Sequence, residues 1–179
     1  MAVREQWMES PVGKLRLVVE DGALVGLSME EQRHPPAFDA AGGQGDPVLD
    51  EACRQLAEWF AGERTRFDLP LRASGTPFQL AVWKALREIP FGETRSYGEI
   101  AAGLGQPKAV RAVGAANGRN PIGIIVPCHR VIGADGALVG YGGGMERKRW
   151  LLGHEREVLA RTGSSASAQG ELRLGAGRE

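Results

Sequence analysis

Residues 96–133 read SYGEIAAGLGQPKAVRAVGAANGRNPIGIIVPCHRVIG. Ser96 and Glu99 stand three apart just ahead of Ile100 and Ala101, the spacing of a capping box, in which each side chain bonds the other's backbone amide. They predict a short helix through Leu104. Gly105-Gln106-Pro107 breaks the chain, and Lys108 to Asn117 reads as a second helix. Two short helices across a glycine-containing turn are the helix-turn-helix pattern. The second helix is nearly bare, with Ala109, Ala112, Gly114, Ala115 and Ala116 leaving Lys108 and Arg111 as its long side chains. Small side chains let a helix backbone approach another surface closely, either a groove of DNA or a neighbouring helix. Ile122 to Val126 is a continuous apolar run, which predicts a buried strand or strand-like segment. It leads directly into Pro127-Cys128-His129-Arg130-Val131.

Outward from this stretch the chain divides into strands before it and helices around it. Thr76 and Gln79 form a further capping box with Pro77 at the first helical position, where its missing amide costs nothing. Phe78, Val82, Ala85, Leu86 and Ile89 line one face of that helix, and Pro90-Phe91-Gly92 ends it. Asp46-Pro47 opens an earlier helix with Leu49, Ala52, Cys53, Leu56 and Phe60 on its apolar side and Gly62 as its stop. Before it, Glu9 to Gly13 is a turn. Leu15, Leu17 and Val19 alternate with Lys14, Arg16 and Val18, and after Asp21-Gly22 come Leu24, Val25, Leu27 and Met29, a β-meander signal. His34 to Gly45 is a loop rich in Pro, Gly and Ala. Downstream, Asp135-Gly136 is a turn, Tyr141-Gly142-Gly143-Gly144 a mobile or closely packed loop, and Lys148 to Leu159 a last helix with Trp150, Leu151 and Leu152 on its apolar side. From Gly163 onward no apolar periodicity remains, and disorder is expected. The order predicts an α+β fold: an N-terminal meander-plus-helix domain at 1–74, a mainly helical domain at 75–160, and a tail at 161–179.

The 179 residues, 42% hydrophobic, suffice for one substantial core or two small domains. No apolar run has the length of a membrane span and no signal peptide opens the chain, so a soluble, cytoplasmic protein is expected. Net charge is zero but uneven: residues 1–74 carry 8 Lys/Arg against 13 Asp/Glu, and residues 75–160 carry 11 against 7. A basic second half suggests an anionic partner, or ordinary scatter of surface charge. Two cysteines make no disulfide framework. Cys53 falls on an apolar stripe and reads as a small buried hydrophobe.

Cys128 has His129 beside it. A thiol is a nucleophile only as thiolate, so it needs a lowered pKa or a base. Neighbours in an extended segment point opposite ways, so a water between the two would carry the proton, and a carboxylate would orient the imidazole. Glu155 is a candidate that spacing alone does not select. On these residues a cysteine hydrolase and a DNA-binding regulator without chemistry both stay open.

The Pro127-Cys128-His129-Arg130 run, preceded by Asn120-Pro121 and an apolar segment and by a helix-turn-helix with Tyr97 at its start and Arg111 in its second helix, resembles the O6-alkylguanine-DNA alkyltransferase family. The resemblance covers residues 75–156 and extends in general pattern to the first domain. It implies a ribonuclease H-like first domain and direct-reversal repair of double-stranded DNA. The alkyl group of O6-alkylguanine, and of O4-alkylthymine, passes irreversibly to Cys128, with the damaged base flipped out by a helix-turn-helix in the minor groove. The resemblance makes His129 the base acting through water, Glu155 its orienting carboxylate, Asn120 the tie between recognition helix and active site, and Tyr97 the support of the flipped base and its phosphate. Arg111 becomes the finger that fills the emptied stack, with Lys108, Ala112, Gly114 and Ala115 beside the DNA. The carbonyls of Cys128 and Val131 become acceptors for the guanine amino group, and Tyr141 and Gly142 the loop over the base. Gly142 stands where the human-type pattern has serine, which bears on tolerance for bulky alkyl groups. Arg130 reads as structural. The relay is expected to lower the pKa of Cys128. Some relatives bind zinc in the first domain, but residues 1–74 offer only Cys53 and His34, so no metal and no cofactor are expected. The expected state is a monomer that could bind DNA cooperatively.

Overall fold

Three antiparallel strands open the chain in the computed structural model, which describes residues 2–138 and 141–165. β1 is Val3–Met8, β2 Leu15–Glu20 and β3 Ala23–Met29, and a two-residue β4, Ala41–Gly42, adds in parallel to β1, giving the order β3-β2-β1-β4. The β2–β3 hairpin turns on Asp21 and Gly22, both at positive φ (50° and 76°). That backbone follows the twist of the strands it joins and suits this residue pair. β1 escaped sequence reading because Val3 to Met8 carries no clear apolar alternation.

Helix α1, Pro47–Phe60, lies against the sheet, its first turn capped by Asp46 Oδ1, which accepts from the amides of Val48 and Leu49. Its buried stripe is Leu49, Ala52, Leu56 and Trp59 with Gln55 among them. Trp59, not Phe60, is the fully buried aromatic, and Cys53 is only half-buried. The expected face was therefore rotated: positions 49, 52, 56 and 59 follow the helical period and 60 begins to leave it. Gln55 bonds the Asp68 backbone in both directions and fixes the extended segment that leads to the second half.

α2 is Pro77–Leu86 and α3 Tyr97–Gly103, and both show the predicted capping boxes, Thr76 with Gln79 and Ser96 with Glu99. α4 is Val110–Gly118, two residues later in its start than expected. Ala109, which has no capping side chain, precedes it, so Lys108 lies in the turn rather than on the helix. A short 3-10 turn, Cys128–Arg130, leads into β6, Val131–Ile132, which pairs in parallel with β5, Arg95–Ser96. α5 runs Met145–Ser165. It starts earlier and ends later than its apolar positions indicated, entering the segment assigned to the tail. Residues 166–179, expected to be disordered, lie outside the described residues.

Ile122 to Val126 is buried but is not a strand. Only Ile122 bridges to Leu27. The chain then doubles back at Ile124, whose φ is 68°, with the Ile125 amide donating to the Gly123 carbonyl at 2.7 Å. A β-branched residue in this left-handed tight turn is strained. This segment also joins the two halves. The free edge of β3 is covered by Leu71, through the pair Leu24–Leu71, and by residues 121–123: Leu27 donates to the Pro121 carbonyl at 2.9 Å and accepts from Gly123 at 3.0 Å. One continuous core runs from Leu15, Leu17 and Leu27 through Leu56 and Trp59 to Val82, Leu86, Ile122, Val131 and Leu151.

Candidate active site

Cys128 is buried at the start of the 3-10 turn, directly after Pro127. Its amide donates to the Val126 carbonyl at 2.8 Å across Pro127, so the backbone bends sharply just before the thiol. Asn120, immediately after α4, holds that bend. Its Nδ2 donates to the same Val126 carbonyl at 2.8 Å, and its Oδ1 accepts from the Ile122 amide at 3.0 Å. Asn120 also bonds the thiol side of Cys128. The extended geometry expected for Cys128 and His129 is replaced by a helical turn.

Behind the cysteine lies a fully buried polar cluster. His129 Nε2 is 2.7 Å from Glu155 Oε2, and both side chains are sealed from solvent. Glu155 further accepts from the Gly92 amide at 2.9 Å and from Arg130 Nε and Nη2 at 2.8–3.0 Å, while Arg130 Nη1 donates to the Ile89 carbonyl at 2.7 Å. Arg130 thus takes the structural role expected of it. Burial by itself would raise the Glu155 pKa, but the bonds from His129 and Arg130 outweigh it and hold the carboxyl at about 2. A permanent carboxylate at Nε2 fixes that nitrogen as the proton-bearing one and leaves Nδ1 as the basic lone pair. Nδ1 has no hydrogen-bond partner among the described residues. Burial lowers the His129 pKa against the pull of Glu155, so the imidazole is neutral at neutral pH. Trp59 of α1 packs edge-on against the His129 ring at 6.3 Å and 76°.

The cysteine departs from expectation. Burial pushes its pKa up, opposed by Asn120 and by the charge of Lys148. The resting thiol is therefore neutral, and the base is needed at the moment of reaction rather than beforehand. Lys148 and Asn117 were not picked out from sequence. Lys148 is fully buried, donates from Nζ to the Val131 carbonyl, and is lowered to about 8 by desolvation. Asn117 Nδ2 donates to the Cys128 carbonyl at 3.3 Å. The readable signal for Asn117 was a lone amide on the stripe Val113, Ala116, Asn117 that faces the core.

The remaining predicted residues sort by face. Tyr97, the first residue of α3, is half-buried, its ring lying 3.9 Å from where a Cβ on Gly114 would stand. Burial raises its pKa, as does the nearby Cys128 thiol, while the Asn117 amide lowers it. Tyr141 is raised well above its usual value by burial and again by Cys128. Tyr97 and Tyr141 therefore both lie near the sulfur. Arg111, Ala112 and Ala115 are exposed, Gly114 is half-buried under Tyr97, and Lys108 is exposed before the helix. Of the two readings of the bare helix, Ala112 and Ala115 at the surface favour an outside partner over a packed neighbour. Val131 is buried and Gly142 half-buried. Among the described residues no three His, Cys, Asp or Glu side chains are grouped to share a metal ion, and no helix is long and apolar enough to cross a membrane.

A family model described as the ribonuclease-like domain of 6-O-methylguanine DNA methyltransferase matches residues 3–73, and one described as its DNA binding domain matches residues 77–157. The chain belongs to the 6-O-methylguanine DNA methyltransferase family. Within it, the methylated-DNA–protein-cysteine methyltransferase of Mycobacterium tuberculosis is 55% identical over 150 residues, covering 83% of this chain and 90% of that protein. The constitutive one of Bacillus subtilis is 49% identical over 152 residues, covering 83% and 92%. The crystal structure of the Mycobacterium tuberculosis protein in complex with DNA superposes with a TM-score of 0.81 at 51% identity, covering 87% of this chain and 94% of that one. In this methyltransferase family setting, the bared face of α4 and the buried cysteine lie on successive segments joined by Asn120.

Proposed function

We propose that this chain repairs alkylated DNA by moving the alkyl group from O6 of guanine, and from O4 of thymine, onto Cys128. The observation that carries this is the buried His129–Glu155 pair beside the cysteine, which leaves one basic imidazole nitrogen free to take a proton. A water between His129 Nδ1 and the thiol relays that proton. The thiolate attacks the alkyl carbon in line, a C–S bond forms, the C–O6 bond breaks, and the proton ends on the guanine ring. Tyr97 donates to the base as charge develops on it. The carbonyls of Cys128 and Val131 accept the guanine amino group. The Val131 carbonyl already accepts from Lys148 and has a second lone pair, whereas the Cys128 carbonyl accepts from both Asn117 and the Val131 amide, so the guanine amino group there takes the place of the long Asn117 bond.

The target atom is buried in a duplex, so the base is flipped out. α4 enters the minor groove, where Ala112, Gly114 and Ala115 let its backbone approach, Lys108 meets phosphate and Arg111 fills the vacated place in the stack. Tyr141 and Gly142 cover the base. The thioether has no route back to thiol, and Cys53 sits half-buried on α1 in the other half of the fold. Each molecule therefore acts once. The setting proposed with this reading is a monomer in the cytoplasm. Intact-mass analysis after incubation with duplex DNA containing O6-methylguanine tests the reading. One added methyl per protein, on the peptide holding Cys128, and none in Cys128→Ala is the expected result. Methyl on Cys53, or more than one lesion repaired per molecule, refutes it.

A further inference from the structure

The segment Tyr141–Gly144 touches its own half, where Gly142 lies beside the Gly118 carbonyl, but it also rests on the other half of the molecule. It lies against the end of β3 and the turn that follows. The Gly142 carbonyl accepts from the Arg33 amide at 2.8 Å. A Cβ on Gly142 would stand 3.2 Å from the Arg33 carbonyl oxygen, and one on Gly143 would overlap Met29 Sδ at 2.7 Å. The Gly142 and Arg33 backbones meet directly, and the Met29 side chain and the Tyr141 ring fill the space beside Gly143.

Arg147, in the first turn of α5, spans this contact. Its Nη1 donates to the Glu30 carbonyl at 2.7 Å and, more weakly, to the Gly143 carbonyl at 3.4 Å. The turn it grips is well anchored. Gln32 Oε1 accepts from the Met29 amide at 2.9 Å, Glu30 Oε1 accepts from the Lys14 amide at 3.2 Å, and the Glu30 amide donates to the Lys14 carbonyl at 3.1 Å. Met29 is itself paired with Leu15 in the sheet. The next residue, Lys148, points inward and holds Val131 beside the cysteine. Adjacent side chains at the head of α5 thus reach the reactive turn and the N-terminal sheet.

We propose that Arg147 is a positioning residue for alkyl transfer: by tying Gly143 to Glu30 it makes the N-terminal half hold Tyr141 and Gly142 in place over the substrate base. This rests on the assignment of Tyr141 and Gly142 to the base pocket made above. Loss of the guanidinium leaves the Arg33–Gly142 bond, so the segment loosens rather than unfolds. The reacting atoms are untouched. The effect therefore falls on binding of the base and not on the chemical step.

The test is single-turnover transfer from a single-stranded oligonucleotide carrying O6-methylguanine, followed against oligonucleotide concentration. In Arg147→Ala the half-saturating concentration should rise roughly tenfold, the order expected for losing a charge-assisted hydrogen bond, with the limiting rate and the iodoacetamide reactivity of Cys128 unchanged. Arg147→Lys should recover part of the shift, since an ammonium still reaches one carbonyl. Tyr141→Ala is measured alongside. If it shifts half-saturation and Arg147→Ala does not, the brace is refuted and the pocket assignment stands. If neither shifts, the pocket assignment itself fails. A fall in limiting rate together with thiol reactivity would mean that Arg147 supports the fold generally, and would overturn the proposal. Arg147→Gln replaces the alanine variant, with the same readings, if the latter does not fold.

Discussion

A carboxylate sealed from water is costly unless its lone pairs are engaged, and Glu155 meets that condition with four N–H donors from three residues: His129 Nε2, Arg130 Nε and Nη2, and the Gly92 amide. Removing its charge strands the Arg130 guanidinium, which is only 8% exposed. Glu155→Gln should therefore cost about 3–5 kcal/mol at pH 7 in denaturant unfolding. Its folded pKa of about 2 lies below its usual value, so the stabilisation is present above pH 4.5 and is lost as pH falls toward 2. The gap between wild type and Glu155→Gln should close over that window. A gap under about 1 kcal/mol at pH 7, the worth of an exposed pair, would mean that water reaches Arg130. His129 carries the catalytic side of the same pair. His129→Ala should slow transfer roughly a hundred-fold or more while sparing DNA binding. Wild-type rate should fall at acid pH as the imidazole protonates below its usual pKa, and stay level above. The variant should instead climb steadily beyond pH 9, because its thiol, raised by burial, must ionise unaided. Parallel profiles would exclude the relay.

α4 and the segment after it act as one element. The helix buries Val113, Ala116 and Asn117 and shows Arg111, Ala112 and Ala115 outward. Trp83 Nε1 of α2 donates to the Ala116 carbonyl at 2.8 Å, which fixes the end of the helix where Asn120 begins. Arg111, the long side chain on an exposed bare face, can reach beyond the backbone without disturbing the cysteine. Flipping a base costs a few kcal/mol, and a planar guanidinium can recover part of it by stacking. Arg111→Ala should weaken repair of duplex substrate far more than reaction with free O6-benzylguanine, and Arg111→Lys should recover little. Equal slowing on both would make Arg111 a support of the site. Asn120→Ala should leave the Ile122 amide and one bond to Val126 unmet in a buried place, costing about 1–3 kcal/mol. Thiol reactivity of Cys128 in that variant should change along with stability.

At the scale of the whole molecule, the two halves share one core and one sheet edge. β3 lends its free edge to residues 121–123, just ahead of the cysteine, and α1 lends Trp59 to the His129 ring. The strained Ile124 is held by this junction, as backbone outliers are where surrounding structure over-determines them. The segment from residue 75 onward, produced alone, should therefore expose Ile122, Leu86 and Val131, lose near-ultraviolet ellipticity and fail to transfer the alkyl group. Full activity in that fragment would show that the N-terminal half is a passive neighbour.

Local chemistry was legible in the residues themselves. Capping boxes at Thr76 and Ser96, the Asp46 cap and the Asp21-Gly22 turn depend on contacts a few positions apart, and each stands where its residues indicate. Boundaries that rest on weaker local signals moved. α4 lacks a capping side chain, α5 runs past its last apolar residue, and β1 shows no alternation. Only the tertiary structure decided how distant groups combine. The pairing of Glu155 with both His129 and Arg130, the inward Lys148 and Asn117, the brace from Arg147 to Glu30, and the raised rather than lowered cysteine all depend on burial. Burial is a property of the packed whole: the same carboxyl, amine or thiol keeps its ordinary behaviour in water and loses it when a neighbour from another element closes the last solvent path.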